Sequence, residues 1–336
     1  AIRIVDTEGG RDMVVNWGVF DSSKPNFVYH FIMGETDYMM AMVSTEGFLR
    51  EYYYYGSEVI QQKLNMTLQE KRNFLAILDE YSKPENRIYR YNFYYDNCTT
   101  RARDVIVKAM EGKVEYLSWK NKQENETFRD LIHSKNADYP WCRWGNDFLL
   151  GLGSDAKMTH AERQFIPEML EEDFDSAIVI LPNGAEKPLV ETTSILLPAG
   201  QSMAEPMAGF PLSPEACSVL FLILVIVFTN CERFLIRKEL KWFDYIVFNL
   251  LGLLGLLLVV MMFSEHPTVK LNFQIFLFCP LWLVLYSPFV TLRRKRMIAL
   301  VIIEIFLLGN FFQSYAEGLN ILALSLLIRI VKNPKK

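Results

Sequence analysis

Beyond about Leu212 the chain becomes a series of long apolar runs separated by short polar loops, and this pattern constrains the fold more than any single motif. The runs cover residues 217–230, 242–263, 273–290, 297–313 and 319–331. A helix needs about 20 residues to cross roughly 30 Å of hydrocarbon, so the pattern predicts an all-α transmembrane bundle of about five helices. Basic residues then sort the loops. Arg233, Arg237, Lys238 and Lys241 crowd one, Arg293, Arg294, Lys295 and Arg296 the next but one, and Lys332, Lys335 and Lys336 the tail. The intervening loops, 264–272 and 314–318, hold Lys270 as their only Lys or Arg. Cytoplasmic loops carry the excess of Lys and Arg, so the residues ahead of the first run are expected on the opposite, outer face of a multi-pass protein.

Whole-chain averages conceal this division. A hydrophobic content of 51% with mean hydropathy of +0.11 would suit a soluble chain only if the apolar residues were evenly spread. The net charge of −4 averages an acidic front half with basic membrane loops and gives no support to nucleic-acid binding. Glu304, about eight positions past the second basic cluster, is expected inside the bilayer, where an ionisable side chain is costly. It either lines a polar path for a lipid headgroup or pairs with Asn249 or Asn310 to hold helices together. His266, beside Glu265 and Pro267, reads as a loop residue.

Residues 1–200 mix charges, turns and aromatics as a globular domain does, and 201–214, within a stretch rich in Pro, Gly, Ala and Ser, read as a linker to a membrane domain over 215–336. Residues 1–5 and 13–20 alternate around Glu8-Gly9-Gly10, which predicts a hairpin. The first residues already alternate like the middle of a strand and no Met stands at position 1, so a removed targeting segment and further folded residues ahead of Ala1 are expected. Thr67-Leu68-Gln69-Glu70 is a capping box, followed by Phe74, Leu75, Leu78 and Tyr81 at helical spacing. Residues 175–181 and 189–197 are expected to add two strands around Pro182-Asn183-Gly184.

The stretch from Tyr89 carries the chemistry. Tyr89, Tyr91, Phe93 and Tyr95 alternate as in a strand, residues 96–100 break it, and Ala102, Val105, Ile106 and Ala109 repeat at helical spacing. Cys98 thus stands at a strand-to-helix junction, where unpaired first-turn amides stabilise a thiolate, with Arg101 and Arg103 adding positive charge. It is a candidate nucleophile, a small buried residue, or half of a disulfide with Cys142, the only other cysteine of the front half. Cys217, Cys231 and Cys279 lie in or beside apolar runs. No paired-cysteine or His-Glu-x-x-His spacing and no glycine-rich phosphate loop suggests a metal or nucleotide cofactor.

These residues together resemble the Lnb family, in which an N-terminal periplasmic domain precedes a C-terminal transmembrane domain. The resemblance covers essentially the whole chain. It rests on Ala1-Ile2-Arg3-Ile4, Asn16-Trp17-Gly18-Val19-Phe20-Asp21, Asn26-Phe27, Asn97-Cys98-Thr99-Thr100-Arg101, Arg103-Asp104, Pro140-Trp141, Asp155 and Pro167. Asn97-Cys98-Thr99-Thr100-Arg101 is the most specific part.

The family resembles bacterial lipoprotein N-acyltransferases of the Gram-negative inner membrane. The resemblance implies a phospholipid acyl donor, a diacylated lipoprotein acceptor, and a Cys98 thioester between them. The order of parts is also similar to permuted papain-like thiol enzymes of the NlpC/P60 and lecithin:retinol acyltransferase groups. That implies an α+β domain whose histidine base precedes the Asn-Cys, in a Gly-His-Ser just ahead of Ala1. His30, His133, His160 and His266 do not match it by position. By the same resemblance, the Cys98 and Thr99 amides would hold an oxyanion, Asn97 would assist or shape the turn, and Asn16 or Asp21 would orient the histidine. Two other classes stand beside this one: a membrane-anchored cysteine hydrolase, acting on cell wall or phospholipid, and a scaffold in which Cys98 is structural.

Overall fold

In the computed structural model, residues 1–117, 125–205, 209–236, 240–286 and 290–332 are described. The expected basic residues Arg237, Lys238, Lys335 and Lys336 and part of the linker, 206–208, lie outside them. The elements in chain order are β1 (Ile2–Asp6), β2 (Arg11–Val19), α1 (Phe27–Met33), β3 (Asp37–Ser44), α2 (Thr45–Tyr55), β4 (Val59–Leu64), α3 (Leu68–Ser82), β5 (Ile88–Arg90), α4 (Cys98–Ala109) and β6 (Lys113–Glu115). There follow α5 (Phe128–Lys135), α6 (Pro140–Leu149), α7 (His160–Arg163), α8 (Pro167–Ser176), β7 (Ile178–Ile180), β8 (Glu186–Pro188) and β9 (Val190–Leu197). The last helices are α9 (Pro214–Asn230), α10 (Lys241–Met261), α11 (Leu281–Leu285), α12 (Leu292–Gly309) and α13 (Leu319–Val331).

The chain forms two compact units, Ala1–Asn125 with Met158–Met207, and Glu126–Lys157 with Ala208–Lys336. The expected division was one cut near 201–214; the compact units assign 126–157 to the helical part.

The first unit is α+β. Its principal sheet has the order β1-β2-β3-β5 and is antiparallel throughout. The expected hairpin forms, pairing Ile2 with Val15 and Asp6 with Arg11, and Gly10 takes the left-handed conformation (φ 64°) that the turn requires. Alternation places Val15 and Trp17 of β2 in the core, where Phe74 and Leu78 of α3 and Ala102, Val105, Ile106 and Ala109 of α4 meet them. Thr67 and Glu70 close their capping box at the start of α3.

Two expectations are corrected. The strand from Tyr89 stops at Arg90, because Asn92 Oδ1 accepts the amides of Tyr94 and Tyr95 and turns the chain before the ladder can continue. Asp175 is helical, and the strand begins only at Ile178.

In the helical unit, segments 214–236 and 241–261 are long and apolar enough to cross a membrane. The run at 273–290 is not one helix over its described part. Residues 273–276 form a 3-10 turn and α11 has five residues, with Pro280 between them. The interrupted backbone lies against small residues of α10, for a Cβ on Gly255 would overlap the Phe278 carbonyl. Broken backbone at membrane depth is tolerated where protein buries it in this way. Glu304 is exposed on α12 among Leu300, Val301, Leu307 and Leu308. Neither expected partner meets it: Asn249 donates to the Tyr245 carbonyl and Asn310 pairs with Asn320.

Residues 126–157 are tied by hydrogen bonds to the loops expected on the outer side. Asn272 Nδ2 donates to the Phe148 carbonyl at 2.8 Å and Gln274 Nε2 to that of Asp147 at 2.6 Å. Gln313 Nε2 reaches the Leu150 carbonyl at 3.2 Å, and Arg143 pairs with Glu317. Inside this segment Arg129 bridges Asp147 (2.6 Å) and Asp155 (2.9 Å). At the opposite end of the unit Arg329 and Lys332 lie between Glu232 and Asp244.

Candidate thiol site

The site begins with a cap. Asn97 is the N-cap of α4 and is 4% exposed. Its Oδ1 accepts the amides of Thr99 (2.8 Å) and Thr100 (2.9 Å), and its Nδ2 donates to the carbonyls of Phe93 and Phe165, both at 2.9 Å. Thr100 Oγ1 in turn accepts the Asn97 amide at 2.9 Å. Every polar atom of the Asn97 side chain is therefore engaged in holding the helix start to the turn before it and to the 165 region. This leaves the Cys98 amide as the first-turn donor with no hydrogen-bond partner among the described residues. The Thr99 amide, expected beside it as an oxyanion donor, is given to Asn97 instead.

Cys98 is half-buried at the first position of α4, with its side chain against the core. Facing it is β2, whose register shifts between Asn16 and Val19, the mark of a bulge. Asn16 Oδ1 accepts the Gly18 amide at 2.9 Å and so holds the bulge. A Cβ on Gly18 would sit 3.8 Å from the Cys98 Cβ and 3.3 Å from Asn16 Oδ1, so glycine keeps this wall open. Asn16 thus shapes the strand beside the thiol. Asp21, one turn later, is occupied by Ser23, whose amide and hydroxyl both donate to it.

Around the thiol stand tyrosines. Tyr38, Tyr89 and Tyr91 are pushed above the ordinary phenol value, first by burial and second by the Cys98 thiolate charge. Tyr52 moves the same way through burial, then Glu51, then Cys98. Tyr38 stacks on Tyr91 with ring centres 4.1 Å apart, and Tyr89 donates its hydroxyl to the Trp17 carbonyl at 2.7 Å. Arg101 does not offer a free charge: Asp96 binds it at 2.6 Å, and its guanidinium lies 3.8 Å from the Tyr89 ring centre. Arg103 is likewise occupied, by Asp104 and the Ala161 carbonyl. The side chains packed with Cys98 against the core thus include the rings of Tyr38 and Tyr91.

All five cysteines are free thiols, so the expected alternative of a Cys98–Cys142 disulfide is not realised. The histidines are engaged elsewhere. His30 meets Glu35 at 3.0 Å, His133 meets Asp147 at 2.8 Å and His160 meets Asp173 at 2.7 Å; His266 lies in the 264–272 loop.

Sequence reasoning named Cys98, Asn97, Thr99 and Asn16, which the structure places at or beside the α4 start, but not the rings near Cys98. Their signal was present in Tyr89 and Tyr91, which alternate toward one side, and in Gly18, a glycine inside a strand pattern. Tyr38 and Tyr52 have no local signal, since only the pairing of β3 with β2 and β5 carries Tyr38 there.

Comparison with known proteins gives two family models. The Lnb N-terminal periplasmic domain matches residues 1–134, and the Lnb transmembrane domain matches residues 205–335. No curated protein and no solved structure matches the chain.

Proposed function

The chain belongs to the Lnb family, with an N-terminal periplasmic domain and a C-terminal transmembrane domain, and from that premise we propose that it is a lipoprotein N-acyltransferase with Cys98 as nucleophile. A membrane-anchored enzyme that modifies lipoproteins has both substrates in the bilayer. The observation that carries the finer reading is Cys98 at the start of α4, with its own amide unpartnered among the described residues, beside Gly18 and aromatic side chains.

In the first step Cys98 Sγ attacks the ester carbonyl carbon of a phospholipid. The S–C bond forms, the ester C–O bond breaks, and a lysophospholipid leaves with the proton taken from the thiol. In the second, the α-amine of a diacylglyceryl-cysteine lipoprotein attacks the thioester. The N–C bond forms, the C–S bond breaks, and the proton lost by the amine passes to Cys98 Sγ. The Cys98 amide stabilises the oxyanion in each step. Asn97 keeps the helix start in place, and Asn16 holds the bulge that leaves room for the acyl group.

The base in this reading is the histidine that the family resemblance places ahead of Ala1. Such an order, strand histidine and then cysteine at a helix start, is that of a permuted papain-like enzyme. We further infer a multi-pass inner-membrane protein of Gram-negative bacteria. The apolar segments 214–236 and 241–261 and the three basic clusters support that reading.

The test is mass spectrometry of a model diacylated lipoprotein incubated with phospholipid and the full-length protein, beside its Cys98→Ala variant. Gain of one acyl chain on the terminal amine, absent with the variant, is the expected result. Release of free fatty acid with no amide product would replace this reading with that of a cysteine hydrolase.

A further inference from the structure

The helix α1, Phe-Val-Tyr-His-Phe-Ile-Met, contains six apolar or aromatic residues in seven and buries none of them. Val28 is 69% exposed, Tyr29 57% and Phe31 50%. Apolar side chains left partly in water forgo the gain of burial, and contiguous exposed apolar surface of this kind marks a site of contact with lipid or protein. The chain is turned into α1 by Asn26, which adopts a left-handed conformation (φ 60°) uncommon for a residue with a Cβ, and turned out of it by Gly34 (φ 71°).

What lies behind α1 identifies its occupant. Phe27 stacks on Phe20 with centres 5.7 Å apart and planes within 9° of parallel. Phe20 lies 4.9 Å from Tyr38, and Tyr38 stacks on Tyr91. Both tyrosines feel the Cys98 charge. A line of rings therefore runs from the exposed helix to Tyr91, which packs with Cys98 against the same core. Lys24, two residues before the turn, makes no ion pair among the described residues and acts on Asp21 only at a distance. It supplies a cation at the outer end of an apolar track, which is the charge arrangement of a phospholipid: a phosphate outside and an acyl chain inside.

We propose that α1 is the lip through which a phospholipid acyl chain passes from the bilayer to Cys98, with Val28, Tyr29 and Phe31 seated among the outer-leaflet lipids and the chain lying along Phe27, Phe20, Tyr38 and Tyr91. Its catalytic part rests on the reading of Cys98 given above; its lipid contact does not. At seven residues α1 cannot span a membrane, and it lies at the interface as short apolar helices do. Its role is to remove the acyl chain from lipid without exposing it to water.

The experiment uses the full-length protein in nanodiscs of phosphatidylethanolamine and phosphatidylglycerol, a fraction carrying a photoreactive diazirine in one acyl chain. Adducts are mapped by mass spectrometry. Labelling of residues 28–31 together with Phe20 or Tyr38, with none at the Glu8-Gly9 hairpin tip, is expected, in the wild type and in Cys98→Ala alike. Labelling confined to the transmembrane segments overturns the proposal, whatever Cys98 does.

The double variant Val28→Ser, Phe31→Ser is then compared for turnover and for alkylation of Cys98 by iodoacetamide. A rise in KM for phospholipid of roughly tenfold, with alkylation unchanged, is the expected outcome. Equal losses in turnover and alkylation would show that α1 only braces the site, and would overturn the proposal as well. If acyl transfer is absent from the wild type but the photoadducts appear on α1, the Cys98 reading fails and the lipid contact stands.

Discussion

Around Cys98 the buried polar side chains are neutral, Asn97, Thr99 and Thr100, and aromatic rings pack beside them. In the helical unit buried neutral side chains such as Asn272, Gln274 and Gln313 are joined by buried ions: Arg129 with Asp147 and Asp155, and Arg329 with Glu232 and Asp244. The difference follows from what each region must do. On the proposed reading, a site for a neutral ester and an apolar chain gains nothing from fixed charges, which would hold water beside a thioester. A helical bundle in lipid has no hydrophobic drive between its helices, and directional polar contacts set its geometry. Buried pairs add little net stability relative to well-packed apolar side chains, yet losing one partner is costly because the other is left uncompensated.

The largest test of this contrast is chemical. Cys98→Ala is expected to lower N-acylation by on the order of 10⁴-fold or more, since removing a nucleophile removes the reaction path. Because no fixed charge near it depends on the thiol, thermal unfolding should be unchanged. A large loss of stability together with activity would make Cys98 structural and break the comparison.

Next is Arg329→Leu, which strands Glu232 and Asp244 beside Lys332 alone. The expected cost is about 3–5 kcal/mol, read as a fall in the melting temperature of the detergent-solubilised protein. Restoring neutrality with Glu232→Gln in the same chain should recover part of it. No recovery would mean that Arg329 acts through packing rather than charge.

Asn97→Ala should cost less, about 2–3 kcal/mol, from one lost cap and two carbonyls left without a donor. Asn97→Asp sharpens the result. It keeps the acceptor for Thr99 and Thr100 but loses the Nδ2 donors and places a charge in the neutral wall. Stability near wild type in Asn97→Asp would show that the buried carbonyls of Phe93 and Phe165 do not depend on Nδ2.

How much of this was legible from sequence differs between the same two regions. The hairpin, the α3 capping box, the α4 face and the position of Cys98 all follow from local spacing, and all are found where spacing puts them. The rings around Cys98 are brought together by strand pairing across distant sequence, which alternation alone does not specify. In the helical unit the apolar runs located the helices, but the 273–290 run gave no warning that Pro280 and the glycines of α10 would admit broken backbone. Nor does spacing reveal that 126–157 is compact with the bundle. Its ties are single hydrogen bonds from Asn272, Gln274 and Gln313 to backbone carbonyls, which leave no periodic trace.

The smallest expected effect concerns an ion pair at the surface of the α+β unit. Arg3 of β1 binds Asp12 of β2 at 2.6 Å, and Thr45 donates its hydroxyl to the same carboxylate at 2.5 Å. The Arg3 hydrogen bond, then that of Thr45, lowers the Asp12 carboxyl from 3.8 to about 2. A carboxyl whose folded value is depressed contributes stability that is present above its unfolded value and is lost as pH falls through the folded one. The contribution is therefore full above about pH 4 and gone near pH 2, and its size is modest because solvent reaches the pair. Arg3→Leu should move acid unfolding to slightly higher pH, monitored by near-ultraviolet circular dichroism, while lowering stability near pH 7 only slightly. Because β1 also begins beside Cys98, the same variant asks whether the hairpin only needs to fold or must hold its first residues in register. An unchanged acylation rate at pH 7 would assign the pair to folding alone. A fall in rate without a fall in melting temperature would show that this surface pair sets the position of β1 against the thiol.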